Sequence, residues 1–194
     1  MSRRKTPIVA LVYDFDGTLS PGNMQEFGFI QAIGKKPQEF WQESDDIASG
    51  QDASNILSYM KLMFDEARKA GIKLRREDFK RFGAQVELYD GVLQWFSHIN
   101  AYGRSRGVKV EHYINSSGLT SMIEGTAIAK EFKRIFACSF IYNEEGEARC
   151  RDLPDPGPHG SGATGSYPWS SWSHGKSSEA RCEPQHSRFL HHGP

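Results

Sequence analysis

The sequence predicts an α/β protein, with a parallel sheet whose first two strands are separated by a long helical segment. Three observations carry this. Ile8 to Tyr13 is continuously apolar and rich in β-branched residues, the pattern of a strand covered on both faces, as in a parallel sheet. Two later runs, Val108 to Ile114 and Ile135 to Tyr142, read as a second and a third strand. Between the first and second strands, from about Met24 to Gly107, apolar residues recur at helical spacing.

Within that segment, Ile56, Leu57, Met60, Met63, Phe64 and Ala67 mark one helix, with Gly71 as its stop. Asp90 reads as the N-cap of a second, whose face carries Val92, Leu93, Phe96 and Ile99 and which Gly103 ends. The stretch SSGLTSMIEGT after the second strand reads as a turn leading into a short helix. NEEG after the third is a turn, and Glu147 to Cys150 begins a returning strand.

A length of 194 residues allows one domain with an insertion, or one and a half domains. Lys plus Arg and Asp plus Glu number 24 each, so nothing in the charge balance favours a nucleic-acid or membrane-surface partner. The apolar run from Pro7 to Tyr13 follows basic residues. It is at the short limit for a signal peptide and leads into Asp14 rather than a small-residue cleavage site. No run is long enough to span a membrane. Three cysteines (Cys138, Cys150 and Cys182) have no metal-ligand spacing and read as thiols of a reduced, cytoplasmic chain.

The chemistry concentrates in VYDFDGTLS. Asp14 and Asp16 lie two apart where the first strand gives way to a turn, so their side chains share a face. Two carboxylates this close repel unless a cation lies between them or one holds a proton. Both remedies serve catalysis. A carboxylate beside a divalent cation can attack phosphorus, and a neighbouring carboxyl can protonate a leaving oxygen. Strand C-termini in open α/β sheets line the crevice where ligands bind. A hairpin turn at Asp16-Gly17 would need an alternating strand after it, and TLSPGN is not one. A calcium loop would need glycine at its sixth position, where Leu19 stands.

IVALVYDFDGTLS resembles the first motif of the haloacid dehalogenase superfamily of hydrolases. VKVEHYINSSG fits that family's second motif, with Ser116 at the motif position. The resemblance covers roughly residues 6–150. It implies a three-layer, doubly wound (Rossmann-like) parallel sheet core with an inserted helical cap. Residues 1–20 and 108–150 would be a partial core, and 21–107 the cap. It implies a phosphatase acting through an aspartyl phosphate. Asp14 would be the nucleophile and Asp16 the general acid and then base. The Asp14 carboxylate and the Asp16 carbonyl would hold Mg²⁺. Ser116 would donate to a phosphoryl oxygen. Gly17, Thr18 and Ser117 would shape the phosphate pocket. The acid at Asp16 points to phosphatases rather than dehalogenases, since an alkoxide needs a proton to leave. A large cap implies a small phosphorylated metabolite as substrate.

The family's remaining motifs, a lysine and an acidic set at later strand ends, find no counterpart after the NEEG turn. Residues 151–194 contain no Ile, Val or Met and are rich in Gly, Pro, Ser and His. They read as a disordered extension or as an out-of-frame product beginning past about residue 148, and the composition favours the second. Lys176 has no strand before it. His186, His191 and His192 lack a completing ligand at a familiar spacing. The core is therefore expected to be incomplete, and the phosphatase impaired. The alternative is a non-catalytic remnant that binds a phosphate ligand. An incomplete core would also leave the strand before Asp14 with an exposed apolar edge.

Overall fold

Ile8–Tyr13 (β1), Lys109–Leu119 (β2) and Arg134–Cys138 (β3) pair in the order β1-β2-β3. Both pairings are parallel, with Tyr13 opposite Ile114 and Ile114 opposite Ile135. A computed structural model of the chain describes residues 6–149, all within one compact unit. The expectations for residues 151–194, including Lys176, Cys182 and the three histidines, lie outside the described residues, as does Cys150.

Five helices connect β1 to β2: Phe29–Ala32 (α1), Pro37–Gln51 (α2), Asn55–Lys69 (α3), Arg76–Gly83 (α4) and Val92–Ser105 (α5). The helix read around Met60 and Met63 is α3, and Gly71 follows it at φ 67°, a left-handed conformation that costs glycine little. Phe29, Phe40, Phe79 and Phe82 bring α1, α2 and α4 together edge to face. Lys35 reaches the buried Glu66 carboxylate on α3 at 2.9 Å. Burial alone would raise Glu66, but its bonds to Lys69 and Lys35 hold it below the usual carboxylate range.

The limits of α5 differ from the sequence expectation. The helix begins at Val92 behind Gly91 (φ 87°), not Asp90. It also runs past Gly103, which is buried. A Cβ at Gly103 would lie 2.6 Å from Val110 Cγ2, so this glycine lets α5 approach β2 instead of stopping the helix. α5 falls within the 21–107 span expected for the cap, yet it packs on the sheet through Phe96, whose ring meets Tyr13, His112 and Phe132. A hydrogen-bond chain reinforces the contact. Trp95 Nε1–H donates to Tyr13 Oη at 2.9 Å, and Tyr13 Oη donates to His112 Nδ1 at 2.9 Å. Nε2–H of His112 donates to Asn100 Oδ1 at 3.1 Å. Burial lowers the His112 pKa, which favours this neutral tautomer.

β1 departs from the two-sided cover expected of it. Ile8 is 57% and Val12 62% exposed. The strand lies at the sheet edge among the described residues. The run expected as one strand to Tyr142 divides. β3 ends at Cys138, and Ile141–Tyr142 (β4) pairs antiparallel with Ala148–Arg149 (β5) across the NEEG turn. Thr120–Gly125 (α6) follows β2 and crosses α4 at glycines. A Cβ at Gly83 would overlap the Met122 main chain, and one at Gly125 the Lys80 main chain.

Candidate active site

The turn after β1 is built around Phe15. Its ring is fully buried, so the flanking Asp14 and Asp16 project away from the core. Its carbonyl accepts from Thr18, Leu19 and Ser20 N–H at 2.9–3.2 Å, and Gly17 N–H donates to the Ser20 carbonyl at 2.8 Å. That wrap needs Gly17 at φ 73°, where a side chain would be strained. Gly17 and Thr18 are exposed on the turn. Thr18 supports it through its main chain.

Asp14 is exposed, and its Oδ1 accepts from Phe15 N–H at 2.7 Å. Asp16 is more enclosed, and its Oδ1 accepts from Met24 N–H at 2.9 Å. Burial pushes the Asp16 carboxyl up to about 7. The Met24 N–H opposes that rise, and the charges of Asp14 and Glu26 add to it. Asp16 therefore sits near its midpoint at neutral pH, able to give or take a proton.

The end of β2 meets this turn. The pairing of β2 with β3 shifts register between Asn115 and Leu119, a bulge that frees Ser116 to Gly118 from the regular ladder. Ser116 and Ser117 do not cap α6, whose N-cap is Leu119 without a side-chain bond. Ser116 Oγ instead accepts from Gly118 N–H at 2.9 Å, which leaves its hydroxyl proton to donate. Gly118 is where the two motifs touch. A Cβ there would lie 2.9 Å from Met24 Sδ and 3.2 Å from Asp16 Oδ2.

A cavity of about 200 Å³ opens between these loops and helices α2 and α3. Asp16 and Ser117 line it, while Asp14, Ser116, Gly17 and Thr18 do not. Sequence reasoning missed much of its wall, including Gln25 after the turn, Trp41 and Asp45 on α2, and Asn55 and Tyr59 on α3. Tyr59 ties the wall to the core by donating to the Ser117 carbonyl at 2.6 Å. Burial raises the Tyr59 pKa and keeps the hydroxyl protonated. A larger, more open groove of about 540 Å³ around Phe27 and Phe82 contains neither aspartate of the pair.

The donor set suits a hard divalent cation in part. Asp14 Oδ2 and the Asp16 carbonyl accept none of the hydrogen bonds that build the turn, and oxygen donors are what Mg²⁺ prefers. Among the described residues, however, no group of three or more His, Cys, Asp or Glu could hold a metal ion. Among the described residues, the Asp14 carboxylate and the Asp16 carbonyl are the oxygens that this turn could offer toward such a site. No helix among the described residues is long and apolar enough to cross a membrane.

No family model matches the chain. A curated relative, an uncharacterized protein of Borreliella burgdorferi, is 31% identical over 144 residues, or 69% of this chain and 50% of the relative. The chain thus spans about half the length of the curated relative it matches. Among solved structures, a HAD family hydrolase from Salmonella enterica serovar Typhi superposes with a TM-score of 0.50 at 13% identity, over 75% of this chain and 46% of that one. A phosphoserine phosphohydrolase-like protein from Francisella tularensis gives a TM-score of 0.49 at 20% identity, over 75% of this chain and 63% of that one. The likeness to the Salmonella hydrolase is one of fold: a parallel α/β sheet flanked by helices.

Proposed function

We propose that this chain, which carries the fold of a haloacid dehalogenase-like hydrolase, derives from a Mg²⁺-dependent phosphomonoesterase acting on a small phosphorylated metabolite through an aspartyl phosphate. The observation that supports it best is the unequal carboxylate pair. Asp14 is exposed and Asp16 enclosed, with its carboxyl pushed up to about 7. A nucleophile must be ionised and a general acid protonated at the same pH, and these two environments separate the roles.

In this reading an Asp14 oxygen attacks phosphorus and the ester P–O bond breaks. The departing alkoxide takes the proton from the Asp16 carboxyl. Asp16, now a carboxylate, takes a proton from water, whose oxygen attacks the aspartyl phosphate and releases inorganic phosphate and free Asp14. The Ser116 hydroxyl donates to a phosphoryl oxygen, as preorganised stabilisation of the developing charge. The Asp14 carboxylate and the Asp16 carbonyl would hold Mg²⁺, which supplies positive charge beside the phosphoryl oxygens. A cytoplasmic setting, with reduced thiols and free Mg²⁺, suits the reading.

A phosphomonoester assay with Mg²⁺ on this chain and on Asp14→Asn tests it. Turnover lost in the variant supports the reading, and equal background rates in both remove catalysis from it. A second reading, a protein that binds phosphate without turning it over, is favoured by the two-ligand metal set among the described residues. Stabilisation by phosphate with no product formed supports that alternative.

A further inference from the structure

We infer that the cavity between Asp16 and helices α2 and α3 selects a phosphomonoester whose alcohol carries a cationic amine and no carboxylate. The inference rests on the phosphatase reading above and assigns its leaving-group side.

Gln25 supplies the first observation. The residue is 2% exposed and lines the cavity, yet its Oε1 has no hydrogen-bond partner among the described residues. A buried amide oxygen left without a donor is unfavourable, and such a group in a native fold calls for a partner. An acceptor asks for a donor, which an ammonium or hydroxyl group provides and a carboxylate does not.

Asp45 supplies the second. It lines the same cavity from α2, and no lysine or arginine among the described residues pairs with it. Lysine and arginine are also lacking among the described residues that line the cavity. Asp45 is exposed, so water screens it in part; it still disfavours a substrate carboxylate or second phosphate and favours an ammonium.

The aromatic walls supply the third. The Trp41 and Tyr59 rings meet at 67° with centroids 6.0 Å apart. Trp41 Nε1–H is bound to Glu26 Oε1 at 2.8 Å and the Tyr59 hydroxyl to the Ser117 carbonyl. Their polar tips are thereby occupied, and both residues line the cavity. Aromatic rings and a carboxylate lining one cavity attract an alkylammonium. The volume of about 200 Å³ admits an aminoethyl-sized group, being smaller than the ~300–1,000 Å³ of sites for larger ligands.

Calorimetric titration of the full 194-residue chain with Mg²⁺ tests this. The probes are inorganic phosphate, ethylphosphonate, 2-aminoethylphosphonate, 3-hydroxypropylphosphonate and phosphonoacetate. The expected result is that the aminoethyl probe binds about tenfold tighter than ethylphosphonate. Asp45→Asn should bring that ratio to about one, and Gln25→Leu should lower it. Reading the ratio within each variant cancels any general loosening of the fold. Equal or tighter binding of phosphonoacetate, or of the hydroxypropyl probe, overturns the inference. If phosphate and ethylphosphonate bind and the amine adds nothing, the inference falls while the phosphatase reading stands. If no probe binds, the phosphatase reading fails and takes the inference with it.

Discussion

The Tyr59 hydroxyl donates to the Ser117 carbonyl at 2.6 Å, joining α3 to the end of β2 across 58 positions of sequence. The bond ties the cavity wall to the bulge at the end of β2. Tyr59→Phe keeps the ring and removes the donor of a part-buried hydrogen bond. The expected cost is about 1–2 kcal/mol, read as a Tm lower by about 2–8 °C. An unchanged Tm would mean that this bond contributes nothing to holding α3 against the sheet.

Gly83 and Gly125 set the crossing of α4 and α6. Any Cβ at either meets main-chain atoms of the facing helix, which cannot swing aside as a side chain can. Gly83→Ala is expected to lower stability by about 3 kcal/mol, seen as a fall in the urea midpoint. The same change at the exposed Gly50, which has open space around it inside α2, should be neutral or slightly stabilising. Equal midpoints for the two variants would show that the α4–α6 crossing relaxes freely.

Gly118 divides stability from function differently. A Cβ there presses on Met24, a flexible side chain, and on Asp16 Oδ2. Gly118→Ala should therefore cost only about 1 kcal/mol in stability while displacing Asp16. Phosphate affinity or turnover should fall by about tenfold or more. A variant that loses stability but keeps ligand binding would separate Gly118 from the site.

Asp16 makes stability fall with rising pH when metal is withheld. Its folded pKa of about 7 lies above its unfolded value of 3.8, so between these the folded state holds the extra proton. The neutral carboxyl's advantage is whole below pH 3.8 and is lost as pH rises to about 7. The whole effect is about 4 kcal/mol, because stability falls by about 1.4 kcal/mol per pH unit across that interval. In EDTA, Asp16→Asn should remove this slope and be more stable than the parent above pH 7. Parallel pH profiles for the two proteins would sink the assignment.

The edge of β1 predicts self-association. Ile8 and Val12 are exposed on one face of the strand, and an open apolar edge recruits further strands. Sedimentation should show concentration-dependent association of the parent chain, relieved by Val12→Lys. A monomeric parent at high concentration would show that this edge is covered in solution.

The sharp turn at Asp14, Asp16 and Gly17 was legible because its signal is local. Two residues of spacing on a strand place two carboxylates on one side, and a glycine beside them marks the sharp turn. The stripe of α3 was legible for the same reason, since helical spacing is written in consecutive residues. Glycine was ambiguous. Gly103 has the pattern of a helix stop but is a contact with Val110, and Gly91 took the capping place expected of Asp90. Propensity alone does not distinguish a glycine needed for its φ from one needed for its size.

The cavity wall had no local signal. Gln25, Asp45 and Tyr59 are an ordinary amide, acid and aromatic in their own segments. They acquire chemical meaning only where α2 and α3 fold over the Asp16 turn and the bulge in β2. The same holds for the Asp16 carboxyl. Its place in the chain follows from the strand pattern, but its raised pKa comes from burial, which outweighs the opposing Met24 N–H eight positions away. Local pattern sets which groups a turn can present. The dielectric and the neighbours that decide their protonation and selectivity arise only when distant segments pack.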